Sequence, residues 1–322
     1  MGKIVARIRQ AAAIGEKQWN KTPASHRSRP RQRDESVFQR LTGALVRAIL
    51  VILVIATPAL MLPGVSSDAT QIVALVALFA AVLTFFEYAS TYPGLVEFRD
   101  APPFNRIRYV SLLATVFLLS VVVLADTEHT TLTQFVQVLG ASLSHTIDFP
   151  YSPVRLLVLI LPEDSSLAHV EQVRTAAGLA YMISLMTLGY FVIILRTMGW
   201  PNSEGGFNVW INLPTFDPTA GGDVVDRLRR DAWVNTALGF LLPFLIPPVL
   251  KMVSGTFTPV TLASTQTMIW TVSAWAFLPA SLFMRGIAMN RIASMIEAKR
   301  QMNTASDAAE FTVPANTRLG RA

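Results

Sequence analysis

The side chains that could do acid–base, nucleophilic or ligand chemistry are few in this sequence, and most stand outside its apolar stretches. There is no cysteine, which excludes disulfides, thiolate nucleophiles and cysteine-based metal or iron–sulfur sites. Of the four histidines, His26 lies near the N-terminus, while His129, His145 and His169 share residues 126–174 with Asp126, Glu128, Asp148, Glu163, Asp164 and Glu171. Their spacing matches no metal-ligand motif. No histidine falls inside a long apolar run, so the paired axial ligands of a transmembrane haem are missing. The zinc-protease, serine-hydrolase and phosphate-loop signatures HExxH, GxSxG and GxxxxGK[ST] do not occur. The pair Gly221-Gly222 precedes a helix start, and a flexible turn explains it better than an anion-binding loop.

Two ionic residues touch apolar stretches. Arg47 lies within one, close enough to its end for the guanidinium to snorkel to the headgroups. Glu87 closes another beside Tyr88 and reads as an interfacial carboxylate, with Arg47, Arg106 or Arg108 available for pairing. No Asp, Glu or His stands in the middle of an apolar run, which counts against a transporter driven through a buried carboxylate. An interfacial enzyme using Glu87, Glu97, Asp100 or the His/Asp/Glu set of 126–174 has no motif to recommend it. The expectation is a protein without catalytic residues, cofactor or metal.

The elements that carry these residues follow from composition. Of 322 residues, 52% are hydrophobic and 15% charged, and mean hydropathy is +0.44. A soluble domain carries about 25% charged residues, so this balance points to a membrane protein. Six stretches approach the roughly 20 helical residues needed to cross a hydrocarbon core: 41–63, 69–89, 107–125, 175–196, 232–250 and 259–284. The fold class expected is all-α, a polytopic six-span bundle. Residues 1–40 form a basic, largely disordered tail, 41–301 the membrane domain and 302–322 a flexible C-terminal tail.

Basic residues set the orientation, because Lys and Arg beside a span stay on the cytoplasmic side. With both termini inside, 23 of the 27 Lys and Arg are cytoplasmic, which absorbs the net charge of +6 into topology and removes the main support for nucleic-acid binding. The basic tail then lies near anionic lipid. No cleavable signal peptide is evident, and the first span serves as the insertion signal. The expected location is the bacterial cytoplasmic, or inner, membrane, with the mitochondrial inner membrane the lesser alternative on account of the Arg-rich start.

Between spans three and four, Leu132, Phe135, Val136, Leu139 and Leu143 repeat with helical period, predicting an amphipathic helix. The run 154–161 is too short to span and is expected to be interfacial or re-entrant. Span five contains Pro243, Pro247 and Pro248, predicting a kink or a broken outer half. Span six has no stop signal before Arg300, so its helix is expected to project beyond the membrane.

Two cytoplasmic loops, 89–105 and 199–222, are long, irregular and aromatic, which predicts ordered and functional segments. Phe98, Phe104, Phe207, Trp210 and Phe216 supply the rings, and Arg99, Asp100, Arg106 and Asp217 the charges. Either the loops pack on each other to close the bundle, or they form a docking surface for a membrane or peripheral protein. The leading functional expectation is a non-enzymatic accessory, scaffold or assembly component using that surface. The alternative is a transporter or channel for a lipid-like or weakly polar solute, with span five as the moving helix.

Overall fold

A computed structural model describes residues 30–92, 94–201, 209–217, 219, 221–254, 262 and 264–311, and over these the chain is all-helical. Its helices are α1 (Pro30–Met61), α2 (Ser67–Ala89), α3 (Phe104–Leu124), α4 (Thr131–Ile147), α5 (Pro153–Val158), α6 (Leu167–Thr197), α7 (Val209–Asn212), α8 (Val224–Ser254) and α9 (Thr265–Phe311). Six of them, α1, α2, α3, α6, α8 and α9, are long and apolar enough to cross a membrane.

Local chemistry starts these helices where the sequence offers a cap. Ser66 and Ser166 accept hydrogen bonds from Ala69 N and His169 N, both at 3.2 Å, and Asp223 Oδ1 accepts from Val225 N at 2.7 Å. A capping box between Thr130 and Thr133 opens α4, and Ser152 followed by Pro153 opens α5. Helix boundaries nevertheless run past the apolar stretches. α1 begins at Pro30, within the expected tail, and α6 and α8 each gain a polar turn or two at their start. α9 runs for 47 residues, past the apolar core of the sixth span and into the expected C-terminal tail.

α9 is the most buried of the spanning helices and α2 the least. α1 and α2 form a hairpin at one side of the bundle, α8 and α9 a second hairpin, and α3 and α6 pack against α9. Two apolar clusters fill the interior. One, around Val121, Val173, Ile269 and Trp275, lies toward the end bearing α4 and α5. The other, around Phe98, Phe191, Leu228 and Ile292, lies toward the opposite end, called here the loop end. Between them small hydroxyls join helices, as Thr187 Oγ1 donates to Ser111 Oγ at 2.9 Å and Ser184 Oγ to Ala276 O at 3.0 Å.

α8 stays helical through all three prolines, so the expected break is absent. Pro247 has no N–H to give the carbonyl four residues earlier. That carbonyl, Pro243 O, instead accepts from Trp275 Nε1 of α9 at 3.1 Å. A neighbouring helix thus satisfies the group that the proline orphans, as membrane helices require.

The amphipathic helix expected after span three is α4, but it meets the protein through only part of the expected stripe, Val136 and Leu143, together with small residues. Thr133, Val136, Gly140 and Ser144 are buried, and a Cβ on Gly178 of α6 would stand only 2.4 Å from Ser144 Cβ. Small residues allow this backbone approach. Leu132, Phe135 and Leu139 of the predicted apolar stripe are left exposed, facing away from the bundle.

The run 154–161 packs against the spanning helices. Its helical part, α5, neither lies on a surface nor dips in alone: Val154 and Leu157 are fully buried and α5 packs between α6 and α8. Lys251 Nζ donates to Leu159 O at 2.6 Å, and the almost buried Asp148 carboxylate pairs with Arg155 at 2.7 Å and Arg174 at 2.9 Å. The histidines near this end take part singly, His145 with Glu171 at 2.9 Å. Among the described residues no three His, Asp or Glu side chains come together as a metal cluster would require.

Candidate functional site

At the loop end, the described residues between Ser90 and Pro103 are held by hydrogen bonds that a short sequence window does not reveal. Glu87 Oε1, at the end of α2, accepts from Leu95 N at 2.6 Å and Val96 N at 2.9 Å. The Glu87 side chain therefore staples the loop, and none of the ion pairs expected for it forms among the described residues. Arg99 is buried, donating to Glu87 O at 3.1 Å and Ser90 O at 2.8 Å while pairing with Asp100 at 3.1 Å. From α7, buried Asn212 accepts Phe98 N at its carbonyl, 2.7 Å, and Asp100 N at its side chain, 3.0 Å.

These bonds turn the aromatic residues inward. Phe98 takes a positive φ of 53°, uncommon for a bulky residue, and its ring packs 4.3 Å from Phe104 and 5.9 Å from Trp200. Phe104 in turn meets Phe191 of α6 edge-on at 5.6 Å. Phe98, Phe104 and Phe216 are all buried, so of the two arrangements expected for the loop rings these three take the packed one. Phe207 lies outside the described residues, as does the side chain of Trp210. Among the charged candidates, Asp100, Arg106 and Asp217 remain exposed.

Two residues that the loop reading did not single out dominate the site. Glu97 accepts from Arg285 Nε and Nη2 at 2.5 and 2.8 Å and from Thr215 Oγ1 at 2.6 Å, and its carbonyl accepts from Asn105 Nδ2 at 2.7 Å. Burial pushes the Glu97 carboxyl up, but the hydrogen bonds from Arg285 and Thr215 and the charges of Arg285 and Arg108 outweigh it and hold the group below its ordinary value. Arg108, one turn into α3, lies against the rings of Phe104 and Phe277 at 5.4 and 5.8 Å. Its Nη1 reaches Asn105 Oδ1 at 3.4 Å, while its buried Nε has no hydrogen-bond partner.

Two cavities meet at this point. The larger, about 1000 Å³, lies between α1, α2 and the start of α3, with Arg47, Arg99 and Arg106 on its walls. The second, about 720 Å³, lies between α3, α8 and α9, with Glu97, Arg108 and Arg285 at its polar end and Leu112, Leu242 and Ile246 along its apolar wall. Val51, Thr84, Tyr88, Asn105 and Tyr109 line both. Tyr88 is covered on one side by Arg47, 4.6 Å above its ring, and Tyr109 Oη donates to Leu50 O at 3.0 Å, tying α3 to α1. Val46, Val110 and Leu278 at the margins are apolar and exposed, so the cavities open onto the lateral apolar surface. Volumes of this size suit a small organic ligand.

Six long apolar helices and a lateral apolar surface make this a multi-pass membrane protein. Comparison of the chain with protein families, curated proteins and solved structures finds no match in any of the three.

Proposed function

We propose that the protein binds a lipid-like solute in the paired cavities of its loop end, without catalysing a reaction on it. The observation that carries this reading is the combination of a polar, arginine-lined end with apolar walls and a lateral opening. An aqueous solute has no use for that opening, whereas an amphiphile in the bilayer meets it directly. The proline segment of α8 supplies Leu242 and Ile246 to the wall of the smaller cavity, which favours α8 as the element that yields during uptake or transfer.

To test occupancy, Val51, shared by both cavities, is replaced by Trp. Lipid extracted with wild type in mild detergent is expected to include a retained amphiphile that V51W loses while keeping its helical content and monodispersity. Equal retention by folded V51W would sink the reading.

A second reading, the accessory or scaffold component, is favoured by one feature: α9 carries on beyond the apolar cluster of the loop end, with Arg300 tied to Asp223 at 2.9 Å and exposed Met302 beyond. Its helical extension is a surface on which a peripheral partner can dock. Proteins recovered with wild type and lost on truncation after residue 300 support it.

We place the loop end and both termini in the cytoplasm of a bacterial inner membrane, following the distribution of basic residues. A membrane-impermeant label at a cysteine introduced at position 67 or 128 is expected to react from outside, and one at position 100 only after permeabilisation. The reverse pattern would invert the topology.

A further inference from the structure

The cavity reading leaves open which solute is taken, and the charges around the cavity narrow that choice. We propose that the site selects amphiphiles with an anionic headgroup, phosphate or carboxylate, and that Arg108 is the group that recognises it. This inference rests on the amphiphile-binding reading above and adds the headgroup chemistry to it.

Among the described residues lining the two cavities there are five arginines and two carboxylates. Both carboxylates are already taken, Glu97 by Arg285 and Asp100 by Arg99. Arg47, Arg106 and Arg108 take part in no ion pair among the described residues, which leaves the polar end of the cavity cationic. Arg47 and Arg106 sit toward the rim, where water and lipid headgroups screen them. Arg108 does not. Its half-buried side chain lies against Phe104 and Phe277 and lines the smaller cavity.

A cation held partly out of water without an ion-pair partner is stabilised by an anion brought beside it. A phosphate or carboxylate in the smaller cavity is the group that fits, because a guanidinium bonds such oxygens through charge-assisted N–H donors. Tyr88, lining both cavities, offers a hydroxyl to the same headgroup.

Depth supplies the rest of the argument. Arg108 lies four residues after the start of α3, about 6 Å along its axis, which is headgroup level when the loop end marks the membrane boundary. One turn deeper stands Leu112, followed by the apolar wall of α8. An anionic head at Arg108 thus leaves its tail against hydrocarbon-like side chains, and free phosphate leaves that wall uncovered.

The test uses the full chain in a neutral maltoside detergent, with phosphatidylglycerol, phosphatidylcholine of matched acyl chains and inorganic phosphate as probes. Native mass spectrometry counts adducts and thermal denaturation reports stabilisation. Wild type is expected to form a one-to-one adduct with phosphatidylglycerol and to gain stability from it, with little effect of the other two. Arg108→Gln is expected to weaken that binding by roughly tenfold or more, the loss of one charge-assisted contact. Arg108→Lys, which keeps the charge, retains part of it, and Arg196→Gln, an exposed arginine outside the cavities, changes nothing.

Equal binding of phosphatidylcholine would overturn the anionic selectivity while leaving an amphiphile cavity in place. Stabilisation by phosphate alone to the same degree would make this a free-anion site and overturn the lipid assignment. Binding of neither lipid would remove the cavity reading itself. Should R108Q not fold, the rim pair Arg47→Gln with Arg106→Gln is read instead. A retained phosphatidylglycerol preference there supports Arg108 as the recognising group, and loss of the preference counts against it.

Discussion

Replacing Glu97 with Gln is expected to lower the stability of the protein in detergent by about 3 kcal/mol, the lower edge of what breaking a buried ion pair costs. The carboxylate joins three parts of the chain at once: its own loop, Thr215 after α7, and Arg285 in α9. Its loss leaves Arg285 and Arg108 as neighbouring cations with no carboxylate between them, so the penalty is uncompensated charge as well as missing hydrogen bonds. In the double variant Glu97→Gln, Arg285→Met, part of the lost stability is expected to return, and a double-mutant cycle by thermal denaturation measures the coupling. Additive losses would show that the pair contributes nothing specific.

The same group predicts a pH dependence. Because the folded-state pKa of Glu97 is depressed below its ordinary value of 4.5, its contribution is fully present above that value and disappears as pH falls through the folded pKa. Wild type is therefore expected to lose melting temperature more steeply than E97Q as pH falls below about 4.5. Parallel curves would contradict this assignment.

Leucine at Gly286 or Gly239 is expected to destabilise the α8–α9 hairpin by about 3 kcal/mol each, the upper end of ordinary overpacking. A Cβ at Gly286 would stand 2.3 Å from Thr236 Oγ1 and 2.7 Å from Ala232 O, and one at Gly239 would stand 2.6 Å from Phe283 N. These neighbours include backbone, which cannot rotate away, so the helices must separate. Separation also disturbs the Trp275 bond to Pro243 O and the wall of the smaller cavity, which α8 and α9 share. Thermal denaturation together with lipid retention measures both effects. Leucine tolerated at both positions would mean that α8 and α9 do not pack this closely.

What the residues determine locally was readable in advance. Runs such as 175–195 contain no charge and reach the length of a hydrocarbon core, so hydrophobicity alone makes them spanning helices. Ser166 and Asp223 cap their helices because the capping bond reaches only two or three residues. Among the described residues of the loops 89–105 and 199–222, packing of the rings was legible, since rings beside water need something to pack on. Their direction was not. Phe98 turns inward through a bond to Asn212, and Glu97 finds Arg285 across a separation of 188 residues, a juxtaposition that no local period encodes.

For the same reason the backbone partners of Glu87 were not legible in the sequence. A carboxylate beside arginines reads as an ion pair, but the backbone amides of Leu95 and Val96 come closer once the chain reverses. The face used by α4 and the burial of α5 also depended on neighbours. Where the surroundings are apolar, hydrophobicity does not distinguish the packed face from the free one, and small residues admitting a second helix decide it. The cavities exist only between helices from distant parts of the sequence, and tertiary packing alone brings Arg47, Arg106 and Arg108 to one polar end.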